Sequence, residues 1–183
     1  TEVVNWEQMK DFQLALFKSG VPHIDHAQDH LFMAALHKFA NKFKIKTILN
    51  GFNLATEGVR NPIEYFYYGS DIKHLKFINK RFGSVKLDKL NFSSIYYQKI
   101  FLRYFKGVNT FKPLNFIDFN RKNAISLLEK EYGWKSYPQK HYESRFTRFY
   151  EGYWLPKRFG FDPRRVVFSS LILANQLTRE KAI

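Results

Sequence analysis

Residues 45–58, "IKTILNGFNLATEG", decide the fold class of this chain. A short apolar segment follows a basic helical segment and stops at a glycine, after which the chain becomes polar. Helix, strand and glycine turn in that order are typical of an α/β unit. In open α/β sheets, ligands bind at the carboxyl ends of the strands. The sequence therefore predicts a binding loop directly after this strand.

The polar loop offers four candidate contacts, Gly51, Asn53, Thr56 and Glu57. The glycine would allow a tight turn and the close approach of a ligand. The amide, hydroxyl and carboxylate suit a nucleotide or a metal ion, although one carboxylate does not make a magnesium site. An ordinary strand-to-helix turn with Thr56 as the helix cap explains the same residues, so both interpretations stay open.

Working outward, the pattern predicts helices on both sides of this strand. Asn5 and Gln8 suggest a capping box for a first helix that closes at Gly20. A polar loop is expected over 25–29, and then a second helix with Phe32, Leu36, Phe39 and Phe43 on one face and lysines on the far side. A second strand, parallel to the first, is expected at 114–117. Asn120 should cap a helix that ends at Gly133 and turns Ile125, Leu128 and Tyr132 inward.

The composition favours an anionic partner. The 183 residues include 30 Lys and Arg but only 16 Asp and Glu, which gives a net charge of +14. The absence of cysteine excludes disulfides and thiolate chemistry within the chain. No apolar run reaches the roughly 18 residues that a membrane span needs, and no signal-peptide pattern occurs. We therefore expect a cytoplasmic location, and the start "TEVVNWEQ" suggests the later part of a longer protein.

Residues 140–165, "KHYESRFTRFYEGYWLPKRFGFDPRR", interleave cations with aromatic rings. The spacing of Phe146, Phe149, Tyr150 and Tyr153 predicts one buried helix face. Lysine and arginine near the start of this helix would strengthen its attraction for anions. The candidate site residues here are Lys140, Glu143, Arg145 and Arg148.

Two acid–base groups in this stretch have alternative roles. Glu143 could hold Lys140 or Arg148 in an ion pair, or it could contact a substrate and help a proton to leave. His141 could be a polar neighbour or a base. No Walker A, GxGxxG, GxSxG or zinc spacing occurs, so the residues alone define an anion-binding protein with a nucleotide as one option.

Several longer segments carry a resemblance to a known family. They are "GFNLATEG", "KPLNFIDFNRKNAISLLEKEYGW", "KHYESRFTRFY", "PKRFGFDPRR" and "SSLILANQLTREKA", in that order. The chain closely resembles the N-acetyl sugar amidotransferases of lipopolysaccharide (O-antigen) biosynthesis, which belong to the PP-loop ATP pyrophosphatase superfamily. It departs from that family at Glu151, Arg158 and Pro163, and it lacks the SGGxDS nucleotide loop and the N-terminal cysteines.

The resemblance implies a fold and a reaction. The fold is α/β, with a partial Rossmann-like (HUP/PP-loop ATPase) parallel sheet, flanking helices and an all-helical C-terminal part. Residues 1–118 would be the latter part of the PP-loop domain with a helical insertion, and 119–183 the helical region. The family uses ATP, with Mg²⁺ implied, to adenylate the amide oxygen of a nucleotide-linked N-acetyl sugar. Ammonia from a glutaminase subunit then gives an acetamidino group.

The resemblance also assigns the candidate residues. Gly51, Asn53, Thr56 and Glu57 match the family's second nucleotide-side loop, which makes them the expected cofactor-binding residues. The catalytic candidates match its "KHYESRFTRF" element and are placed on the substrate or pyrophosphate side. They are Lys140, Glu143, Arg145 and Arg148. Because the nucleotide loop is missing, we expect the 183-residue chain to be inactive alone.

Two other functions stay open beside this one. A tRNA-modifying PP-loop enzyme would use the same adenylation on a nucleobase, and the net charge suits it. A nucleic-acid-binding module without chemistry would use basic residues and exposed rings. Both are less favoured because the aromatic residues fall at core spacing. An unpaired edge of the incomplete sheet would favour a homo-oligomer.

Overall fold

The computed structural model describes residues 4–66, 71–137 and 142–183. These described residues form two compact units, one within the ranges 1–48 and 63–110 and one within 49–62 and 111–183. The expected domain division into 1–118 and 119–183 stays a prediction, because units defined by packing are not the same thing as domains.

Helices dominate the described residues. The α-helices are α1 (Trp6–Ser19), α2 (His26–Lys42), α3 (Leu54–Glu57), α4 (Ile72–Phe82), α5 (Arg121–Tyr132), α6 (Arg145–Phe149), α7 (Leu155–Phe159), α8 (Arg164–Leu173) and α9 (Arg179–Ala182). Two segments are π-helical, Tyr97–Phe105 and Tyr150–Trp154, and Pro113–Phe116 is a 3₁₀ turn. The strands are β1 (Thr47–Leu49) and β2 (Asn109–Phe111).

The two strands pair in parallel, as the sequence predicts, but the second one lies earlier than expected. The Asn109 N–H donates to the Lys46 carbonyl at 2.8 Å, and the Asn50 N–H donates to the Phe111 carbonyl at 2.9 Å. The strand expected at 114–117 is wrong, because Pro113 has no N–H for a ladder and instead begins the 3₁₀ turn. A small parallel sheet among helices is compatible with an α/β class.

The first unit packs α1 against α4, with Phe12 and Leu16 almost fully buried. Asn5 caps α1 by accepting from the Gln8 N–H at 3.0 Å, and Gly20 closes the helix at a φ of 69°. The Asn5 half of the expected capping box is confirmed, but the Gln8 half is wrong. The Gln8 side chain donates to the Asp88 carboxylate and accepts from the Lys89 N–H at 2.9 Å, so it ties α1 to a distant loop.

The aromatic face predicted for α2 is not its buried face. Phe32 and Phe43 are 60% and 57% exposed, and Leu36 is also exposed. The buried stripe consists of small residues and histidines, namely His26, Ala27, His30, Leu31, Ala34, His37 and Ala40. Small side chains let neighbouring elements approach closely, and the His30 Nε2 accepts from the Ser93 N–H at 3.1 Å. The loop expected over 25–29 is also wrong, because α2 begins at His26.

The second unit contains the aromatic stretch, and there a π-helical turn changes the helix face. The Leu155 N–H donates to the Tyr150 carbonyl, a bond that spans five residues instead of four. Tyr150 is therefore buried, whereas Phe149 and Tyr153 are 39% and 57% exposed and stack on each other. The prediction that all four aromatic residues anchor the core is wrong for these two.

The helix predicted after Asn120 is confirmed, but its inward face is not. Asn120 accepts from the Lys122 and Asn123 N–H groups, and Gly133 ends the helix at a φ of 63°. Leu128 and Tyr132 are exposed, and α5 buries no residue. Local capping therefore defines this helix while packing contributes little.

Burial in the second unit predicts which substitutions destabilise it. Leu155→Ala should cost about 2–5 kcal/mol of unfolding free energy, because the fully buried side chain leaves a cavity. Phe149→Ala removes a larger side chain but should cost less than about 1 kcal/mol, because the ring is partly solvated. Urea unfolding of both variants measures this, and a larger loss for Phe149→Ala would contradict the described packing.

The start of α2 predicts a pH dependence. Burial and the neighbouring Asp29 raise the pKa of Asp25 to about 6. Asp25 therefore binds its proton more tightly in the folded state than in the unfolded state. The stabilisation of the fold that this bound proton gives is lost as the pH rises through about 6. Asp25→Asn should then be more stable than the wild type at pH 7.5, on the order of 1 kcal/mol after solvent screening, and equal to it at about pH 3, below the unfolded pKa of 3.8.

Chemical denaturation at the two pH values measures this difference. Burial and His26 lower the pKa of His23 to about 3, so the total profile mixes both signs and only the variant isolates Asp25. Asp88→Asn is the control of opposite sign, because a hydrogen bond from Gln8 lowers the pKa of Asp88. A gain for Asp25→Asn that does not change with pH would refute the charge explanation.

Candidate functional site

The second unit contains a cavity of about 430 Å³ that follows the carboxyl ends of both strands. Three segments line it: residues 53–59 after β1, residues 114–119 after β2, and residues 170–176 at the end of α8. The volume lies in the range of small-molecule sites. The binding position that the sequence predicts after the first strand therefore coincides with a cavity.

The segment after β1 is shaped by one asparagine. Asn53 is 6% exposed, and its Oδ1 accepts from the Thr56 N–H at 2.9 Å and from the Thr56 hydroxyl at 3.1 Å. It is therefore the N-cap of α3, a role that the sequence interpretation gave to Thr56. Upstream, the Asn50 Oδ1 accepts from the Phe52 N–H at 2.7 Å and turns the chain away from the strand.

Side chains tie the other two segments to this loop. The Leu54 N–H donates to the Asn115 Oδ1 at 2.9 Å. Gln176 donates to the Phe119 carbonyl at 2.7 Å and accepts from the Arg121 N–H at 2.9 Å, so it fixes the chain just before α5. These bonds link residues about 60 positions apart and hold the cavity walls in place.

Ser170 connects the loop to α8. Its hydroxyl accepts from the Val59 N–H at 3.0 Å and donates to the Val166 carbonyl at 3.0 Å, and the residue is 1% exposed. A hydroxyl can do both at once, because it has one proton and two lone pairs. Ser170 therefore aligns the cavity wall, and its hydroxyl proton is already donated within the protein.

The cavity has an unusual charge for so basic a chain. Its described lining contains no lysine, arginine or histidine, and the carboxylate of Asp118 is its one charged group. Two cavities of the first unit differ in this respect. Lys44, Lys46 and Lys106 line one of them, and Lys76, Lys80 and Lys86 line the other. The cationic character of the protein therefore does not extend into the cavity after the strands.

An ion pair lies at the start of α8. The Arg164 guanidinium contacts the Asp162 carboxylate at 2.6 Å, and its hydrogen bond holds the pKa of Asp162 below the ordinary value. The Arg164 side chain is half exposed, so the pair is a surface feature of the helix start.

The predicted cofactor-binding residues are brought together only in part. Asn53 lines the cavity, whereas Thr56 is buried with its hydroxyl bonded to Asn53, and Glu57 is half-buried at the end of α3. Gly51 is exposed, has no positive φ, and leaves open space where a side chain would begin. Nucleotide binding by these four residues stays a prediction.

Glu143, Arg145 and Arg148, the predicted catalytic residues that the structure describes, do not line this cavity. Glu143 and Arg145 are exposed beside the start of α6, where Ser144 accepts from the Thr147 N–H. Arg148 lies over the ring of Tyr142 at 5.7 Å. Lys140 and His141 fall outside the described residues. The catalytic role of these residues stays a prediction.

Four polar residues of the site were missed from the sequence: Asn115, Asp118, Ser170 and Gln176. Asn115 lies in the segment expected to be a strand and Asp118 directly follows it, whereas Ser170 and Gln176 lie in a region expected to be helical with no assigned role. One signal was present, because all four occur in segments that carry the resemblance, "KPLNFIDFNRKNAISLLEKEYGW" and "SSLILANQLTREKA".

A family model described as LPS biosynthesis protein WbpG-like, C-terminal domain, matches residues 143–183. The match covers α6 through α9, including the α8 wall of the cavity. It supports the expected link to lipopolysaccharide biosynthesis. Neither the curated proteins nor the solved structures contain a match to the chain.

Over 4–66, 71–137 and 142–183, no group of three or more His, Asp or Glu side chains could hold a metal ion. No helix in the same ranges has the length and apolar character needed to cross a membrane.

Adjacent serines on α8 test how the cavity wall is held. Ser170→Ala should cost about 1–3 kcal/mol of unfolding free energy, because the Val59 N–H loses its acceptor. Ser169→Ala is the matched control, since Ser169 is exposed and donates only to the Arg165 carbonyl, and it should change stability by less than about 0.5 kcal/mol. Equal losses in urea unfolding would contradict this bracing role.

Proposed function

We propose that this chain is part of an enzyme that converts the N-acetyl group of a nucleotide-linked sugar into an acetamidino group in lipopolysaccharide (O-antigen) biosynthesis. One observation carries the proposal most directly. The segment that matches the WbpG-like C-terminal domain provides a wall of the cavity at the carboxyl ends of two parallel strands. The remaining support is the resemblance of the whole chain to sugar amidotransferases.

The reaction replaces the amide oxygen of the acetamido group by a nitrogen from ammonia. An acetamide carbon is a poor electrophile, so the oxygen must be activated before it can leave. On the basis of the resemblance, ATP would adenylate the amide oxygen with release of pyrophosphate. Ammonia from a glutaminase partner would then add to the carbon, and the oxygen would leave as part of AMP.

The residues of the cavity do not fit the triphosphate of ATP. A triphosphate is bound by cations, backbone N–H groups or a metal ion, whereas the described lining has no cationic side chain and presents a carboxylate. No part of the ATP reaction is therefore assigned to the cavity. The SGGxDS loop that the resemblance implies for ATP does not occur in the 183 residues.

The exposed cations near the start of α6 are the proposed contacts for phosphate groups. Arg145 and Arg148 lie within the matched segment and are exposed to solvent. With Lys140 they would bind the phosphates of the substrate or the departing pyrophosphate, because cations at such a position offset developing negative charge. Glu143 would orient them or contact the substrate.

In the full-length protein, Arg145→Ala should reduce turnover by about ten- to hundred-fold while the fold stays intact. A charge-assisted hydrogen bond to the substrate contributes roughly 1.5–3 kcal/mol, which corresponds to that range. The assay supplies ATP, ammonia and a nucleotide-linked N-acetyl sugar and detects the acetamidino product by mass spectrometry.

Arg179→Ala is the control, because Arg179 is an exposed arginine of α9 outside both the cavity lining and the predicted site. It should retain wild-type turnover, and both variants should keep the wild-type thermal midpoint. Full activity of Arg145→Ala would show that the charged stretch is a solvated surface. Absence of any acetamidino product from the wild-type protein would refute the proposed reaction itself.

A further inference from the structure

The charge distribution of the cavity restricts what can bind there. The chain carries a net charge of +14, yet the described lining offers a single carboxylate, Asp118, and no cation. A phosphate placed in the cavity would face like charge without a compensating partner. An uncharged group meets no such opposition, so the cavity suits the neutral part of a ligand.

The polar atoms that remain available define the hydrogen bonding. The Gln176 side-chain amide already accepts one hydrogen bond through its oxygen and donates one through its nitrogen within the protein. The Ser170 hydroxyl likewise accepts one hydrogen bond and donates one. The Asn53 Oδ1 is also bonded, but its Nδ2 donates to no described residue, although the side chain is more than nine-tenths buried. The Asp118 carboxylate is exposed and accepts no hydrogen bond from a described residue.

A ligand in the cavity can therefore accept a hydrogen bond from the Asn53 Nδ2 and donate one to the Asp118 carboxylate. A hydroxyl group can do either, and an acetamido group can do both through its carbonyl and its N–H. Exposed apolar side chains of Leu54, Ile117 and Leu173 line the same cavity and suit the C–H face of a sugar ring and an acetyl methyl group.

We propose that this cavity binds the uncharged sugar ring of the substrate, with Asn53 and Asp118 as the residues that recognise it, while the phosphates of the substrate stay outside. This inference rests on the proposed function and deepens it. It assigns specificity to Asp118, which should exclude sugars that carry a phosphate or a carboxylate on the part of the ring that enters the cavity.

The test is a binding measurement on the full-length protein without ATP. Two probes are compared by calorimetry, N-acetylglucosamine and N-acetylglucosamine 6-phosphate. The neutral sugar should bind at least about tenfold more tightly, and its affinity should not change between low and high salt, because no ion pair forms. Failure of the neutral sugar to bind, tighter binding of the phosphorylated sugar, or a steep salt dependence would each overturn the inference.

Two nearly isosteric variants assign the residues. Asn53→Asp keeps an oxygen that caps α3 but removes the Nδ2 donor, and Asp118→Asn removes the charge but keeps the size. Each should weaken binding of the neutral sugar by about tenfold without lowering the thermal midpoint, and Asp118→Asn should also reduce the discrimination against the phosphorylated sugar. Glu131→Gln, an exposed change on α5 outside the cavity, should alter neither.

The outcomes separate this inference from the proposed reaction. Sugar binding that depends on Asn53 and Asp118, without formation of an acetamidino product, would refute the reaction and keep the binding site. Product formation with an unchanged KM for both variants would keep the reaction and refute the binding site.

Discussion

The hydroxyl of Ser170 is the constraint on which the cavity depends. It accepts from the backbone of the loop after β1 and donates to the preceding turn of its own helix, so two segments more than 100 residues apart share one buried atom. A buried N–H without an acceptor is costly, and Ser170 satisfies Val59 where a side chain without an acceptor could not. With the bonds from Asn115 and Gln176, this contact gives the cavity walls a defined position.

The separation of charge within the chain gives this cavity its chemical character. Lysines line cavities of the first unit, and exposed arginines lie in the segment that matches the WbpG-like domain, but the described lining of the cavity after the strands has no cation. Net charge alone predicts an anionic partner and cannot indicate which part of that partner enters a given cavity.

Helix faces were the least predictable feature of the fold. On α2, a stripe of alanines and histidines competes with a stripe of aromatic residues at the same spacing, and the small residues are buried. In residues 145–159, a bond that spans five residues shifts the register and exposes Tyr153. Helical spacing identifies candidate faces, but the neighbouring elements select one of them.

The sequence by itself determined the local features: the caps at Asn5 and Asn120, the glycine stops at Gly20 and Gly133, the first strand and the polar loop that follows it. These depend on hydrogen bonds between residues a few positions apart, so a short window contains all the partners. Only the tertiary structure decided which helix faces are buried, where the second strand pairs, and that Asp118, Ser170 and Gln176 line one cavity with Asn53. Those features depend on contacts between residues 50 to 120 positions apart, and no local pattern specifies which distant segment will satisfy a given polar group or cover a given apolar face.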